Sequence, residues 1–398
     1  MSMPSEHEKK IQISIVIPCL NEAETVASCV KSAQACLEVF KQEAFSSEII
    51  ISDNGSTDGS QEIARSLSCR VVDCPKRGYG NALRFGILRA KGTYIIMGDS
   101  DGSHDFLEAV PMIRKLIEGY DLCMGTRFKG KILPGSMNWK NRYIGNPALT
   151  GILNIFFRSG LSDAHCGMRA FTKEAFKQMH LRSAGMEFAS EMVVKASLLH
   201  LKCTEIPITH HPDRRKRPPH LQPWRDGWRH LKFLFLYSPL WLFLVPSMTL
   251  VCSSALIIFV VPFAPLAETF KIGPVQFGDH WMILSSSSFA IGFQGLLLGI
   301  ISLIYRVRNR IFLSSQIDRI KWLYRIITIE NIFLIGVMFI LLGLIIFGGV
   351  LLHWYQTGFH GLAKQREMTI VATCFVVGMQ AFFSGLLFSI IADVRENN

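Results

Sequence analysis

The sequence lacks paired cysteines. Its ten cysteines form no C-x-x-C pair, and their spacings fit neither a zinc-binding pattern nor a disulfide framework. We therefore expect most of them to be reduced core residues, as in a domain that faces the cytosol. Residues 1–10 also lack the apolar core of a secretion signal, and we interpret them as a flexible tail.

Acidic residues are scarce relative to basic ones. Asp and Glu number 31 against 42 Lys and Arg, which gives a formal net charge of +11. A nucleic acid is one partner for a basic chain, but this chain also carries long apolar runs. Anionic membrane lipid and phosphate-bearing ligands fit that combination better, and we expect no nucleic-acid partner.

Charged residues become sparse after residue 235. Four apolar segments follow one another there, at about 238–263, 281–305, 327–353 and 369–392. Each exceeds the ~20 residues that cross the hydrocarbon core of a bilayer. We predict a transmembrane domain over 238–398 with four helices. The basic loop at 306–326 is expected to face the cytosol, with the N-terminal domain on the same side.

Residues 210–237 connect the charged part of the chain to the apolar part. Basic and apolar residues alternate here at helical spacing: Arg225, Arg229 and Lys232 with Trp224, Trp228 and Leu231. This pattern predicts a basic amphipathic helix on an anionic membrane surface, and the alternative is a solvated charged linker.

Short β-branched runs alternate with stretches of helical spacing before residue 209. The strand-like runs cover 11–18, 48–52, 94–97 and 121–124; the helical stretches cover 23–40, 61–67, 79–90 and 107–117. The alternation predicts an α/β domain over 11–209 whose mostly parallel sheet is covered by helices on both faces. Ligands bind such sheets at the carboxyl ends of the strands.

Four polar clusters stand at the ends of these elements. They are P-C-L-N-E at 18–22, S-D-N-G-S-T-D-G at 52–59, K-R-G-Y-G-N at 76–81 and G-D-S-D-G-S at 98–103. Asp99 and Asp101 are hard oxygen ligands that suit Mg²⁺ or Mn²⁺ completed by phosphate oxygens, although a solvated turn has the same letters. Gly78 and Gly80 open a helix as anion binders do, but lack the spacing of the Rossmann and P-loop fingerprints.

Taken in order, these clusters resemble the family 2 glycosyltransferases with a GT-A (Rossmann-like) fold. Three further motifs, at 125–128 (G-T-R-F), 141–142 (N-R) and 163–171 (D-A-H-C-G-M-R-A-F), are similar to dolichol-phosphate mannose synthase and bacterial polyprenyl-phosphate glycosyltransferases. The resemblance covers residues 11 to about 235, and the membrane half matches only in general plan.

The resemblance implies an inverting transfer of a hexose from a nucleotide sugar, of UDP-glucose or GDP-mannose type, to a polyprenyl phosphate. The acceptor would be of undecaprenyl or dolichyl type, at the cytosolic membrane face, and a homo-oligomer is compatible with this plan. Two alternatives stay open. A processive polysaccharide synthase would carry Q-x-x-R-W, which residues 222–226 match except at Asp226. A non-catalytic nucleotide-sugar-binding scaffold would not need the intact D-x-D.

The resemblance also implies roles for single residues. Positions that bind the nucleotide sugar are Pro18, Glu22, Asp53, Lys76, Gly78, Asp99 and Arg214. Asp53 is expected to read the base or ribose, while Asp99 and Asp101 hold Mg²⁺ or Mn²⁺. Arg127 and Arg142 are expected to hold the acceptor phosphate, and Asp101, Arg127 and Arg142 form the catalytic set.

The sequence departs from the family pattern at two positions. Ser103 stands where relatives often have a glutamine that completes the metal shell, and His220 replaces a lysine in the motif that follows Arg214. Asp163 and Glu187 either orient sugar hydroxyls or are structural.

Overall fold

The computed structural model describes residues 12–215, 223–260, 270–272, 275–308 and 328–393. The chain divides into two units, Met1–Tyr237 and Ser238–Asn398. Most of the basic loop predicted at 306–326 lies outside the described residues, as do residues 216–222 of the predicted interface segment.

The described part of the first unit contains a seven-stranded sheet. Its strands are β1 (Ile13–Cys19), β2 (Ser47–Asp53), β3 (Arg70–Asp73), β4 (Tyr94–Met97), β5 (Leu122–Ile132), β6 (Arg169–Thr172) and β7 (Cys203–His210). Their order across the sheet is β3-β2-β1-β4-β6-β5-β7, and β6 runs antiparallel to both of its neighbours. The other pairs are parallel, so the predicted mostly parallel sheet is confirmed.

Helices cover both faces of this sheet. They are α1 (Val26–Gln42), α2 (Ser60–Ser66), α3 (Tyr79–Arg89), α4 (Val110–Ile117), α5 (Asn146–Phe157), α6 (Lys173–Met179), α7 (Phe188–Leu198) and α8 (Pro223–Leu236). Ile15 and Ile17 of β1 pack into the hydrophobic cluster that includes α1, whereas Val16 packs into the one that includes α3. Because β1 is buried on both faces, its sequence is a continuous apolar run.

Helix α8 shows which face of the interface segment is buried within the first unit. His230 and Leu234 are buried, and the Phe235 ring lies 5.7 Å from that of Phe156 on α5. Trp228, by contrast, is 63% exposed, and Arg225 is also exposed. The helix is therefore amphipathic, with a packed face and an outer face that presents an aromatic ring and basic side chains.

The second unit holds the predicted apolar helices. They are α9 (Val245–Val260), which continues a π-helical turn at Leu240–Leu244, then α10 (Asp279–Arg308), α11 (Ile329–Gln356) and α12 (Gln365–Asp393). Four spans long and apolar enough to cross a membrane lie at Leu240–Phe259, Asp279–Leu303, Glu330–Gln356 and Gln365–Ser389, as predicted. A short antiparallel pair, β8 (Phe270–Ile272) and β9 (Val275–Phe277), precedes α10.

Candidate active site

Three of the four polar clusters lie at the carboxyl ends of neighbouring strands, and the cluster at the start of α3 contacts them through Gly78 and Tyr79. In the parallel register Cys19 of β1 lies beside Asp53 of β2, and β4 pairs with the other side of β1. The hydroxyl of Ser100 donates a 2.7 Å hydrogen bond to the carbonyl oxygen of Pro18, which ties the D-x-D turn to the end of β1. The carboxyl ends of these strands therefore bring together residues predicted from separate parts of the sequence.

The first acid of the D-x-D is held by buried neighbours. Asp99 accepts a 2.7 Å hydrogen bond from the Tyr79 hydroxyl, and its other oxygen lies 3.7 Å from Nε2 of His104. Burial opposes its ionisation, but His104 and the Tyr79 hydroxyl outweigh that cost and lower the pKa of Asp99. A Cβ at residue 167 would lie 2.1 Å from this carboxylate, so only Gly167 allows the approach.

The second acid faces a cation supplied by the protein. Oδ2 of Asp101 lies 3.3 Å from the guanidinium of Arg215, which also lies 3.1 Å from Oε1 of Glu22 and pairs with Asp213. Burial and the neighbouring Asp99 charge raise the pKa of Asp101. Arg215 thus stands within reach of three carboxylates, including two of the predicted site residues.

Arg215 is a site residue that the sequence reasoning missed. The resemblance selected Arg214, whose side chain is exposed and passes over Gly102 beside a cavity of about 240 Å³. Both arginines belong to the same basic run, and only the path of the backbone after β7 decides which one turns toward the carboxylates. The sequence around Arg214 and Arg215 does not indicate which of the two faces the carboxylates.

Asp53 combines a structural role with an oxygen left available. Its Oδ2 accepts hydrogen bonds from the backbone amides of Gly55 and Ser56 and from the side chain of Gln61. Oδ1 is buried and has no hydrogen-bond partner among the described residues. A buried acceptor without a partner is costly unless a ligand supplies a donor, which suits the predicted contact with a base or ribose.

The third cluster lies at the start of α3. The amide of Gly78 donates a 2.7 Å hydrogen bond to Oδ1 of Asn54, and the Lys76 side chain is exposed. Gly78 has φ +130, and a Cβ there would lie 2.3 Å from the carbonyl oxygen of Ala184. Because its amide is already engaged, anion binding at this helix start requires Asn54 to be displaced. Nucleotide binding by Lys76 and Gly78 stays a prediction.

The two predicted acceptor arginines have different surroundings. Arg127 is buried, and its Nε and Nη2 donate to Asp163 at 2.7 and 2.9 Å in a bidentate pair. This pair also lowers the pKa of Asp163 despite its burial. Arg142 is half-buried and lies over the ring of Tyr143, 5.4 Å from its centroid, with no ion pair among the described residues. Acceptor binding by both stays a prediction, but the fork of Arg127 is occupied here.

A divalent cation would find a partial ligand set in this site. Within the described ranges, no group of three or more His, Cys, Asp or Glu side chains converges on a metal-sized point. Asp99 and Asp101 nevertheless supply hard oxygens at the sheet edge, and Mg²⁺ is commonly bound by one or two carboxylates together with substrate phosphates. The residues therefore fit a metal that arrives with a diphosphate better than one held by the protein alone.

Two family models and a near full-length relative match this chain. The family model for Glycosyl transferase family 2 matches residues 14–179, and the model for the Glycosyltransferase family 2 C-terminal transmembrane region matches residues 300–392. The chain is 34% identical over 382 residues to the low-salt glycan biosynthesis hexosyltransferase Agl6 of Haloferax volcanii, covering 96% of this chain and 89% of that protein.

More distant relatives include a dolichyl-phosphate beta-glucosyltransferase of Dictyostelium discoideum. It is 28% identical over 218 residues, which cover 50% of this chain and 66% of that protein. Among solved structures, glucosyl-3-phosphoglycerate synthase from Mycobacterium tuberculosis, in complex with Mn²⁺, UDP and glucosyl-3-phosphoglycerate, aligns with a TM-score of 0.44. Its identity is 18%, over 60% of this chain and 84% of that one. The two family matches and the near full-length relative show that the chain belongs to glycosyltransferase family 2 and is a membrane protein with an N-terminal GT-A catalytic unit.

Proposed function

We propose that this glycosyltransferase moves a hexose from a nucleotide sugar to a polyprenyl phosphate, with inversion at the sugar carbon. The observation that carries the proposal is the edge of the sheet where the carboxylates of Glu22, Asp101 and Asp213 surround the guanidinium of Arg215, with Asp99 two residues before Asp101. Because carboxylates outnumber guanidinium groups at this point, the site suits a donor whose diphosphate is accompanied by a divalent cation. The relative named as a dolichyl-phosphate glucosyltransferase supports the choice of acceptor class.

The donor nucleotide would lie across the ends of β1, β2 and β4. Asp53 Oδ1 is the buried acceptor available to a base or ribose donor. Arg215, and Arg214 beside it, carry positive charge toward the diphosphate position at the D-x-D turn. Arginine suits this task because its planar fork matches phosphate oxygens.

Mg²⁺ or Mn²⁺, held by Asp101 with Asp99 beside it, would neutralise charge on the departing nucleoside diphosphate. The chain's own contribution is to keep Asp99 ionised through Tyr79 and His104, and to orient Asp101 through a 2.9 Å hydrogen bond from the Ser103 amide. The acceptor phosphate is already an anion at pH 7 and so needs to be oriented more than deprotonated.

The acceptor end would be formed by Arg127 and Arg142. Arg142, which has no ion pair among the described residues, offers a free fork, whereas Arg127 offers Nη1 while Asp163 holds its other side. The two arginines would thus contribute unequally, with Arg142 as the bidentate ligand and Arg127 as a fixed single donor.

Membranes that contain the protein should be incubated with radiolabelled UDP-glucose and GDP-mannose, with and without added polyprenyl phosphate, and then extracted into organic solvent. We expect label in a lipid fraction that mild acid cleaves to free hexose. Label in a polymer that stays in the aqueous or insoluble fraction would instead identify a polysaccharide synthase. Absence of transfer from either donor would reject both readings.

The catalytic unit is proposed to face the cytosol. Four spans place the two ends of the membrane unit on one side, and the basic loop 306–326 selects the cytosolic side. Single cysteines at Ser314 and Gln356, in a chain whose native cysteines are replaced, should react with an impermeant maleimide from opposite sides of sealed vesicles. Reaction of both positions from the same side would reject this topology.

A further inference from the structure

A buried hydroxyl joins two histidines that lie on different parts of the catalytic unit. Ser190 on α7 is buried, and its Oγ lies 2.8 Å from Nδ1 of His230 on α8 and 3.2 Å from Nε2 of His165. The two imidazole rings meet edge to face, with centroids 5.0 Å apart. We name these three residues the histidine bridge.

The hydrogen-bonding capacity of the bridge gives it a direction. A serine hydroxyl has one proton, so Ser190 donates to one imidazole nitrogen and accepts from the N–H of the other ring. Burial and the neighbouring His230 lower the pKa of His165 to about 3, so its ring is neutral at pH 7. A chain of this kind requires both rings to stay in place, because loss of one leaves a buried hydroxyl poorly paired.

One end of the histidine bridge reaches the segment that holds Arg127. His165 follows Asp163 by two residues, and Asp163 forms the bidentate pair with Arg127. The buried guanidinium of Arg169 fastens the same segment, donating to the carbonyls of Ala164 and Cys166 and, on α7, to that of Ala189. Arg169 and the histidine bridge therefore both anchor the segment to α7.

The other end of the histidine bridge lies on α8. This helix presents the exposed Trp228 and Arg225 on its outer face, while His230 is on its packed face. The hydrogen bonds of Arg169 extend to α7, whereas the histidine bridge extends from α7 to α8. Two hydrogen bonds therefore connect α8 to the residues beside Asp163.

We propose that the histidine bridge positions Arg127 for the lipid acceptor according to where α8 lies on the membrane surface, with His230 as the positioning residue. This inference rests on the proposed function, since it takes the acceptor to be a membrane-embedded phosphate. The head group of such an acceptor is confined to the membrane surface. A basic amphipathic helix that lies on that surface is held at a fixed depth in the membrane, and the histidine bridge couples its position to that of Arg127.

The test compares His230→Leu with His230→Asn in the full-length protein reconstituted into vesicles that contain polyprenyl phosphate. An Asn amide places a polar atom near the position of Nδ1 and can keep the contact with Ser190, whereas Leu cannot. We expect the acceptor KM of His230→Leu to rise roughly tenfold, which corresponds to about 1.4 kcal/mol, the size of one hydrogen bond. The donor KM should stay within about twofold of wild type, and His230→Asn should recover most of the loss.

Ser190→Ala provides a second route to the same result, should the leucine variant fold poorly. Hydrogen exchange of the backbone at residues 162–167 supplies a readout that does not depend on activity. Faster exchange there in Ser190→Ala and His230→Leu, but not in His230→Asn, is expected.

Two outcomes separate failure of the inference from failure of the proposed function. If wild-type protein transfers sugar to polyprenyl phosphate but His230→Leu changes donor and acceptor KM equally, or changes neither, the histidine bridge has no positioning role. If wild-type protein transfers no sugar to polyprenyl phosphate, the proposed acceptor is wrong and the acceptor role of the bridge falls with it.

Discussion

The donor and acceptor ends of the site have opposite charge balances. At the proposed donor end, the carboxylates of Glu22, Asp101 and Asp213 all pair with the guanidinium of Arg215, and Asp99 lies nearby against His104. At the acceptor end, Arg127 and Arg142 are accompanied by one close carboxylate, that of Asp163. An excess of carboxylate favours an added cation, and an excess of guanidinium favours an added anion. The contrast supports the proposal of a metal at one end and a phosphate at the other.

The acceptor end itself contains a second contrast. Arg127 is fixed by a buried bidentate pair, so its orientation is determined before any ligand arrives. Arg142 lies in a π-helical turn next to exposed aromatic and apolar side chains, Tyr143 and Ile144 among them, and has no ion pair among the described residues. The fixed guanidinium of Arg127 would set the direction from which the phosphate binds. The guanidinium of Arg142, which has no ion pair among the described residues, would adapt to a phosphate on a flexible lipid chain.

The largest effect is expected from removing charge at the donor end. Asp101→Asn keeps the shape of the side chain but removes the carboxylate expected to contact the metal. Metal stabilisation of a leaving group contributes several kcal/mol, so turnover should fall at least roughly a hundredfold. Steady-state transfer assays across a Mn²⁺ titration would measure this loss, and EDTA should abolish the activity of the wild-type protein.

Asp105→Asn is the matched control for that variant. Asp105 lies close in sequence to Asp101, but its Oδ1 accepts hydrogen bonds from the Ser32 hydroxyl and the Leu107 amide, which an asparagine oxygen can also accept. Near wild-type activity is expected for it. An equal loss in both variants would mean that general charge, and not metal contact, accounts for the effect.

Arginine-to-lysine changes at the acceptor end should have the next largest effect. Arg142→Lys removes the free fork, and the loss of a charged hydrogen bond costs ~1.5–3 kcal/mol, so acceptor kcat/KM should fall roughly ten- to hundredfold. Donor KM should stay near the wild-type value. Arg127→Lys should produce a similar kinetic loss together with a lower thermal midpoint, because lysine cannot reproduce the bidentate pair with Asp163.

Kinetics and stability together decide between the two arginines. If Arg127→Lys lowers the thermal midpoint while acceptor KM stays unchanged, Arg127 is structural and Arg142 alone holds the phosphate. Weakened donor binding in either variant would place that arginine at the nucleotide diphosphate, contrary to the division into two ends.

A smaller effect is expected from Arg215. Its guanidinium lies 3.3 Å from Oδ2 of Asp101, the carboxylate expected to contact the metal. Arg215→Gln should therefore tighten Mn²⁺ binding roughly three- to tenfold without nucleotide, since a repelling charge is removed. Donor KM should rise in the same variant because the diphosphate loses a partner. Weaker Mn²⁺ binding, measured by electron paramagnetic resonance of the free ion, would show that Arg215 only holds Asp101 in place.

The sequence predicted the donor end better than the acceptor end, for a physical reason. Asp53, Asp99 and Glu22 directly follow buried strands, so the parallel register of β1, β2 and β4 was enough to bring them together. Arg215 follows β7, which joins the sheet far along the chain and carries no apolar run long enough to predict it. The short strands β3 (RVVD) and β6 (RAFT) were missed because each has only two apolar residues between polar ones, whereas β4, of equal length, is the apolar run YIIM.

The acceptor end depends on contacts between residues distant in sequence. Asp163 and Arg127 are 36 residues apart, and the letters alone left Asp163 open between orienting sugar hydroxyls and a structural role. The histidine bridge joins three elements, and no spacing within one element reports it. Side-chain pairing between loops of this kind follows from packing, which periodicity does not encode.

Each end also contains one histidine whose pKa is depressed, and the smallest prediction concerns these two. Burial and the neighbouring His104 lower the pKa of His210 at the donor end to about 4, and burial with His230 lowers that of His165 at the acceptor end to about 3.

An unfolded histidine titrates near 6.5, so the unfolded state binds more protons than the folded state between that pH and the folded pKa. Each histidine therefore contributes stability that is complete above about pH 6.5 and is lost as the pH falls toward the folded value. Between pH 7 and pH 6, His165 alone should account for about 0.7 kcal/mol of lost stability. His165→Gln, which keeps a polar group near Nε2, should show a correspondingly shallower fall of the thermal midpoint over that range in detergent. If wild type and variant lose stability equally between pH 7 and pH 6, His165 is not held in its neutral form by the folded protein.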